Sequence, residues 1–186
     1  MPLEREDLIE GLRELVAGVT ARGEHVGIRI VGGAALSLYY FDRQSTIDID
    51  AAIHPTEAAL EISAQIAVRH DWPSDWLNSS AAGFIPFVGA EWHTLLDDEM
   101  ISISVASAET LLVMKLRASR PGRDDDDIAR LLSICGIDSI ERADEIYETY
   151  YPGEVLEEKA YRILRAIFTQ GLPSVPPAPP LPDLTS

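Results

Sequence analysis

Cysteine is the scarcest chemically useful residue in this 186-residue sequence. Cys135 is the only one, so no disulfide can form within the chain. It lies in an apolar stretch and is expected to be a small core residue. A chain without disulfides fits a reducing compartment, and this length suffices to bury a core without a structural metal. We therefore expect a cytoplasmic protein with a conventional hydrophobic core.

Basic residues are also few, with 15 against 31 acidic ones and a net charge of −16. A negative field of this size repels nucleic acid unless basic residues cluster locally. One such cluster comprises Lys115, Arg117, Arg120 and Arg123. The charge balance therefore disfavours binding of a large polyanion but permits binding of a small nucleotide with a metal ion.

Long hydrophobic runs are missing as well. No stretch of the sequence approaches the length needed to span a membrane. The charged start of the chain, residues 2–7, lacks the apolar segment of a signal peptide. We expect no membrane partner.

Hydrophobic spacing predicts a mixture of helices and strands. Helices are predicted over 4–21, 34–40, 56–69, 108–118, 124–135, 140–150 and 154–169, and strands over 26–31 and 46–53. The segments 83–88, 91–96 and 100–105 predict two or three further short strands. Helices and strands alternate first, antiparallel strands follow, and helices end the chain. This order predicts an α/β (α+β) fold with a mixed sheet flanked by helices and with C-terminal helices.

Three regions are expected along the chain. Residues 1–135 form the main domain, and residues 136–170 form a C-terminal helical segment packed on it. Residues 171–186 contain six prolines, which exclude helix and sheet interior and predict an extended or disordered tail.

The pair Gly32-Gly33 follows a predicted buried strand and opens a helix. Glycines at such a point let the backbone approach a phosphate, and the helix N-terminus presents free N–H groups to an anion. An ordinary strand-to-helix turn uses glycine too, so the pair alone does not decide between the two interpretations.

Asp48 and Asp50 lie two positions apart in a predicted strand, so their side chains leave the same face. Two neighbouring carboxylates repel each other unless a cation lies between them, and Mg²⁺ prefers such oxygen ligands. The alternative is a solvated strand face. The apolar neighbours Ala51, Ala52 and Ile53 favour the functional interpretation because they indicate depth.

Lys115 lies in a predicted helix that is apolar almost all round. Its ammonium must either reach the rim of the core or meet a carboxylate or phosphate. Asp127 lies beside the apolar stripe of the next helix and is a candidate partner for Lys115 or for a metal. Acidic residues at the start of that helix also favour its dipole, which alone would explain Asp124 and Asp125.

These residues, in this order, resemble the nucleotidyltransferase superfamily, which includes DNA polymerase β and the kanamycin nucleotidyltransferases. The mark of that superfamily is a Gly-Gly or Gly-Ser turn, a short helix and a strand carrying Asp-x-Asp. Here it reads Val-Gly-Gly-Ala-Ala-Leu over 31–36 and Ser-Thr-Ile-Asp-Ile-Asp over 45–50. Residues 107–118, followed by Arg123-Asp124 and Asp127-Ile128, are similar to the AbiEii/MenT-like branch of toxin–antitoxin nucleotidyltransferases. The resemblance covers roughly residues 26–135.

The resemblance implies transfer of a nucleotidyl group from a nucleoside triphosphate to an acceptor hydroxyl on an RNA end or a protein. It implies Mg²⁺ or Mn²⁺ held by Asp48 and Asp50, a catalytic site completed by Lys115 and Asp127, and an antitoxin as a possible partner. The nucleotide-binding residues implied are Gly32, Gly33, Thr46, Lys115, Arg123 and Asp124.

Two features depart from the superfamily pattern. Many members carry a third carboxylate on a later strand, where this sequence offers Ser102 and Ser104. The interval between Gly33 and Asp48 is also long, which predicts an extra loop over residues 41–44. One alternative is therefore a relative that has lost catalysis and binds a nucleotide or serves as a regulatory partner. A purely structural module is another, and it predicts Asp48 and Asp50 splayed into solvent without a cleft.

Overall fold

The structure is a computed structural model that describes residues 2–43 and 45–185. The helices are α1 Arg5–Arg22, α2 Gly32–Ala35, α3 Thr56–His70, α4 Ala108–Ala118, α5 Asp125–Cys135, α6 Ile140–Tyr150 and α7 Glu158–Gln170. The strands are β1 Val26–Ile30, β2 Ile49–His54, β3 Leu77–Asn78, β4 Trp92–Asp97 and β5 Ile101–Ala106. A π-helical turn, Leu36–Tyr40, continues α2, and a 3₁₀ turn covers Ala82–Phe84.

The five strands form one mixed sheet in the order β3-β2-β1-β5-β4. Strand β1 lies at the centre, antiparallel to β2 and parallel to β5. Strand β3 adds parallel to β2 at one edge, and β4 adds antiparallel to β5 at the other. A mixed sheet accompanied by helices confirms the predicted fold class.

The chain divides into two compact units. The first, here called the sheet unit, is formed within Met1–Gly83, Trp92–Ala106 and Pro177–Ser186, and it contains all five strands and α1 to α3. The second, here called the helical unit, is formed by Phe84–Glu91 and Ser107–Pro176, and it contains α4 to α7.

In the sheet unit, one face of the sheet is buried and packs against helices. Helices α1 and α3 contact each other, and they reach β5 and β1. Because side chains alternate along a strand, every second residue points into this core. The inward residues are fully or almost fully buried: Ile28, Ile30, Ile49, Ala51, Ile103 and Val105. The intervening residues, such as Arg29, Asp50 and Ser104, lie on the opposite face and are more exposed.

Two of the three tryptophans belong to this core. Trp76 is completely buried, and its indole N–H donates to the carbonyl of Ser63 at 2.9 Å. Gly11 of α1 lies against it, and a Cβ at that position would come within 2.7 Å of the Trp76 ring. Trp72 is also buried and contacts Trp76 edge to face. The glycine therefore lets α1 approach the tryptophan pair closely.

In the helical unit, α4 has the boundaries predicted from the sequence. The Ser107 hydroxyl accepts a hydrogen bond from the Thr110 N–H at 3.2 Å and caps the helix start. Helix α4 packs against α5 and α6, and α7 contacts both of these helices.

The predicted strand over 83–88 is wrong. After the 3₁₀ turn the backbone is irregular, and Phe87 is fully exposed. Pro86 lies in the middle of this segment and has no N–H to donate to a neighbouring strand. The apolar residues that suggested a strand therefore do not pair with the sheet.

The strand predicted over 46–53 begins later, at Ile49. Thr46 instead pairs with Leu3, through hydrogen bonds of 2.7 and 2.9 Å between their backbone groups. In the expected loop over 41–44, residues 41–43 are irregular, and Gln44 lies outside the described residues.

The proline-rich tail has neither helix nor strand over 171–185, as its composition predicts. Within the sheet unit it lies against α1. Arg5 donates to the carbonyl of Pro180 at 2.5 Å, and Arg13 donates to that of Asp183 at 2.7 Å. Leu184, next to this anchor, is only 2% exposed. Separately, none of the helices in the described chain is both long enough and apolar enough to cross a membrane.

Candidate functional site

The glycine turn lies directly beside the Asp50 carboxyl group. Val31 donates its N–H to the carbonyl of Asp50 at 2.9 Å, which fastens the end of β1 to β2. Gly32 follows with φ of +66°, a conformation that favours glycine. A Cβ at Gly32 would lie 3.2 Å from Asp50 Oδ2. The missing side chain thus allows the carboxyl group to rest against the turn.

Gly33 leaves space for two polar side chains. A Cβ at this position would collide with the Arg43 guanidinium and would lie 2.8 Å from Thr46 Oγ1. Arg43 also donates to the carbonyl of Ser45, and the Thr46 hydroxyl donates to the carbonyl of Asp48. The structure therefore adds a cation, Arg43, to the glycine turn. Sequence reasoning missed this arginine because a loop residue shows no periodicity that indicates its position.

Asp48 lies one residue before β2 and is held by Asn78. The Asn78 amide donates to Asp48 Oδ2 at 2.9 Å, and its oxygen accepts the Ser80 N–H at 2.8 Å. Asn78 is also the direct neighbour of Asp50 in the pairing of β2 with β3. One asparagine therefore contacts or adjoins both aspartates. The sequence did not reveal it, because a two-residue strand is too short to show alternation.

The donor set of this site fits one divalent ion such as Mg²⁺. The half-buried carboxylate of Asp50 lies against Gly32, and Asn78 is the strand neighbour of Asp50 and binds the half-buried carboxylate of Asp48. Carboxylate oxygens are the ligands that Mg²⁺ prefers, and it usually takes only one or two of them besides substrate phosphates. On β5, the residues of the same sheet face are Ser102 and Ser104, which supply no third carboxylate.

One other group of potential metal ligands occurs among residues 2–43 and 45–185, namely Glu10, Glu14 and His70. Glu14 accepts hydrogen bonds from Arg69 and from His70, the latter at 2.5 Å. Burial raises the pKa of Glu14, but these two partners outweigh burial and leave the pKa lowered. Ion pairs within the protein thus already occupy the Glu14 carboxylate and His70.

A cleft of about 780 Å³ runs along the open face of the sheet, within the sheet unit. The register aligns Ala52, Arg29, Ser104 and Thr94 as one row across four strands. Trp92 covers Arg29, with 5.3 Å between the guanidinium carbon and the ring centre. Asp97, Asp98 and Glu99 line the far end of the cleft.

In the helical unit, Lys115 lies between two buried carboxylates. Its Nζ is 2.9 Å from Asp124 Oδ1 and 2.9 Å from Asp127 Oδ2. Arg120 adds hydrogen bonds to Asp124 from the other side. Burial raises the pKa of Asp124, but the bonds from Arg120 and Lys115 outweigh it and lower the pKa from 3.8 to about 2. We call Lys115, Asp124 and Asp127 the buried triad.

The structure thus brings the predicted site residues together in two groups. Gly32, Gly33, Thr46, Asp48 and Asp50 meet in the sheet unit. Lys115, Asp124 and Asp127 meet in the helical unit, where Arg123 lies exposed in the turn before α5.

Comparison with known families gives one match. Residues 7–170 match the model of a family described as nucleotidyltransferase of unknown function (DUF6036). No curated protein and no solved structure matches the chain. The matched range contains every residue of both groups.

Proposed function

We propose a function from one premise: the chain belongs to the nucleotidyltransferase family DUF6036, whose function is unknown. In this proposal it transfers a nucleotidyl group from a nucleoside triphosphate to an acceptor hydroxyl, and it requires Mg²⁺ or Mn²⁺. Asp48 and Asp50 are the metal ligands.

The observation that carries the proposal is the contact between the glycine turn and Asp50. A Cβ at Gly32 would lie 3.2 Å from Asp50 Oδ2, so backbone N–H groups and a carboxylate share one small space. A triphosphate needs both, because N–H groups bind its oxygens and the carboxylates bind its metal ion. Neither a solvated strand face nor an ordinary turn requires this proximity.

Each residue has a defined task in the reaction. Gly32 and Gly33 let the backbone approach the triphosphate, and Arg43 places positive charge beside it. Asp48 and Asp50 would hold the metal ion, which when bound neutralises charge on the phosphoryl oxygens. The acceptor oxygen forms a bond to the α-phosphorus, the bond to the pyrophosphate oxygen breaks, and the hydroxyl proton leaves to water. Asn78 keeps Asp48 oriented throughout.

The proposal extends to the buried triad and to biological role. From the resemblance to the AbiEii/MenT-like branch, we propose a catalytic role for Lys115 and Asp127 and a nucleotide-binding role for Arg123 and Asp124. The resemblance to that branch implies an RNA end or a protein as the acceptor, and it implies a toxin that is restrained by an antitoxin. The ion pairs of Lys115 set a condition: the ammonium must exchange a carboxylate for a phosphate oxygen in order to bind nucleotide.

A second candidate is a relative that binds nucleotide without transferring it. Ser102 and Ser104 favour this candidate, because they occupy β5 where many superfamily members carry a third carboxylate. A single ion held by two aspartates could bind a triphosphate and still lack the second ion of two-metal chemistry.

The test is incubation of the purified chain with each labelled nucleoside triphosphate, Mg²⁺ or Mn²⁺, and either total RNA or a protein extract. We expect label on an acceptor that disappears with chelator. Asp50→Asn should lower the transfer rate on the order of 100-fold to 1,000-fold, since it removes a metal ligand. Asp42→Asn, an exposed acidic residue, is the matched control and should retain activity.

Two outcomes oppose the proposal. A rise in melting temperature with triphosphate and Mg²⁺, but no labelling of any acceptor, would favour the binding candidate. Absence of both effects would exclude nucleotide chemistry at Asp48 and Asp50.

A further inference from the structure

Arg29 differs from the other strand residues around it because it is a cation in the middle of the open sheet face. Its row consists of Ala52, Ser104 and Thr94, which are small or carry hydroxyl groups. The only interaction that the described residues give the Arg29 side chain is with the Trp92 ring, whose centre lies 5.3 Å from the guanidinium carbon. No carboxylate from residues 2–43 or 45–185 neutralises it.

Several other arginines among the described residues have a carboxylate partner. Arg22, Arg69, Arg117 and Arg120 each form an ion pair with a glutamate or aspartate. Arg29 instead projects into a cleft of about 780 Å³, a volume typical of small-molecule sites. The guanidinium is therefore available to bind an anion from outside the chain.

The position of Arg29 relates the cleft to the aspartate pair. Arg29 pairs with Ala52, and Asp50 lies two residues from Ala52 on the same strand and the same face. Two residues along a strand correspond to about 7 Å. Asp50 does not line the cleft, so a molecule whose anionic group is bound by Arg29 must extend past Ala52 to place a hydroxyl group one row away, at Asp50.

The other end of the cleft limits the size and charge of this molecule. Asp97 pairs with Ser102, one row beyond Arg29 on the side away from Asp50, and Asp98 and Glu99 follow it. These carboxylates repel any further phosphate placed along the cleft. The cleft thus suits one anionic group at Arg29 and disfavours a nucleic acid strand lying along it.

From these observations we infer that the cleft binds the acceptor, a small hydroxylated molecule with one phosphate or carboxylate group held by Arg29. This inference rests on the proposed nucleotidyl transfer, and it names a small-molecule acceptor in place of the RNA end or protein that the resemblance implies. The hydroxyls of Ser104 and Thr94 contribute hydrogen bonds, and Trp92 forms the wall behind the guanidinium.

Binding is tested on the full chain with three matched probes: ribose 5-phosphate, ribonate and ribose. The probes distinguish phosphate, carboxylate and neutral ligands on similar carbon skeletons. Calorimetry gives the dissociation constants, and tryptophan fluorescence locates the site, because Trp92 is partly exposed in the cleft while Trp72 and Trp76 are buried. We expect one or both anionic probes to bind and to change the emission, and ribose to do neither.

Arg29→Gln should weaken binding of the anionic probe on the order of tenfold to 100-fold. Arg29→Lys keeps the positive charge and should retain most of the affinity. It is the control for a folding defect in Arg29→Gln. Arg22→Gln changes the net charge equally at an arginine on α1 and should bind like the wild type. Trp92→Phe should lose the fluorescence change and keep the calorimetric signal.

Equal affinity of Arg29→Gln and wild type would overturn the inference, and so would binding of an RNA oligonucleotide without binding of either anionic probe. Probe binding requires neither metal nor triphosphate, so its result is independent of the transfer assay. If transfer occurs but does not depend on Arg29, the inference is refuted and the proposed function is not. If the probes bind at Arg29 but the chain transfers no nucleotidyl group, the proposed function is refuted and anion binding at Arg29 is not.

Discussion

The buried aspartates of the helical unit and Asp48 of the sheet unit face different electrostatic conditions. Asp124 and Asp127 are buried, and Lys115 lies 2.9 Å from each of them. Asp48 and Asp50 are half-buried, and the partner of Asp48 is the neutral amide of Asn78. The first pair has its counter-charge built into the chain, whereas Asp48 has no ion pair within the described residues.

The charge of the partner group distinguishes a structural carboxylate from one that can bind a cation. A buried charge is tolerated when it is paired, and breaking such a pair is strongly destabilising. A carboxylate held by a neutral donor keeps its negative charge available for a cation. The buried aspartates and Asp48 should therefore respond differently to mutation, the former in stability and the latter in its response to metal.

The largest expected effect is the loss of the lysine from the buried triad. Lys115→Met leaves two buried carboxylates without their cation and should lower the free energy of unfolding by about 3–5 kcal/mol. Lys159→Met is the control, because Lys159 pairs with an exposed glutamate and its loss should cost less than about 1 kcal/mol. Urea unfolding measures both. If Lys115→Met and Lys159→Met lower the free energy of unfolding equally and only slightly, the contrast between the buried aspartates and Asp48 is refuted.

The next effect is a loss of folding stability at acid pH. The pKa of Asp124 is lowered from 3.8 to about 2 in the folded chain. A carboxyl group with a lowered pKa stabilises the fold above its unfolded pKa, and the stabilisation is lost as pH falls towards its folded pKa. About 2 kcal/mol should therefore disappear between about pH 4 and about pH 2. Urea unfolding should show the difference between wild type and Asp124→Asn narrowing over this range, and a constant difference would contradict the assignment.

A smaller effect is expected at the glycine turn. Gly32→Ala should lower the free energy of unfolding by about 1–2 kcal/mol because of its positive φ, and should also slow transfer by displacing the Asp50 carboxyl group. Gly23→Ala is matched, since Gly23 has φ of +68° and a Cβ there would meet nothing within 4 Å. Thermal or urea unfolding compares the two variants. Normal transfer by Gly32→Ala would show that its contact with Asp50 is unimportant.

The smallest change in stability is expected at Asp48. Asp48→Ala removes negative charge near Asp50 but also a hydrogen bond to Asn78, so with chelator the free energy of unfolding should change by less than about 1 kcal/mol. Any rise in melting temperature that Mg²⁺ gives the wild type should vanish in this variant and persist in Asp42→Ala. A large loss of stability without metal would assign Asp48 to the structural class of the buried triad.

The sequence predicted best where one residue specifies a local structure. Ser107 caps α4 with its side chain, and both ends of that helix were predicted correctly. The pairing of Lys115 with Asp127 was foreseen because both lie on or beside apolar stripes. The ion pair between Lys115 and Asp124 was not foreseen, because the helix dipole already explained an acidic residue in the first turn of the predicted helix.

Tertiary pairing explains most of what the sequence did not indicate. The backbone groups of Thr46 pair with Leu3, far away along the chain, and so β2 starts at Ile49. Asn78 and Arg43 lie in a two-residue strand and a loop, where no periodicity gives their direction. The arrangement of Arg29 and Trp92 depends on the strand order, which hydrophobic spacing does not determine.

The anchored tail bears on how the chain is made. Helix α1 leaves the ribosome early. The carbonyls of Pro180 and Asp183, which accept hydrogen bonds from Arg5 and Arg13, are synthesised only after the whole helical unit. Domains generally fold during synthesis from the N-terminal end. The surface of the sheet unit that buries Leu184 therefore stays uncovered until the chain beyond the helical unit has been synthesised.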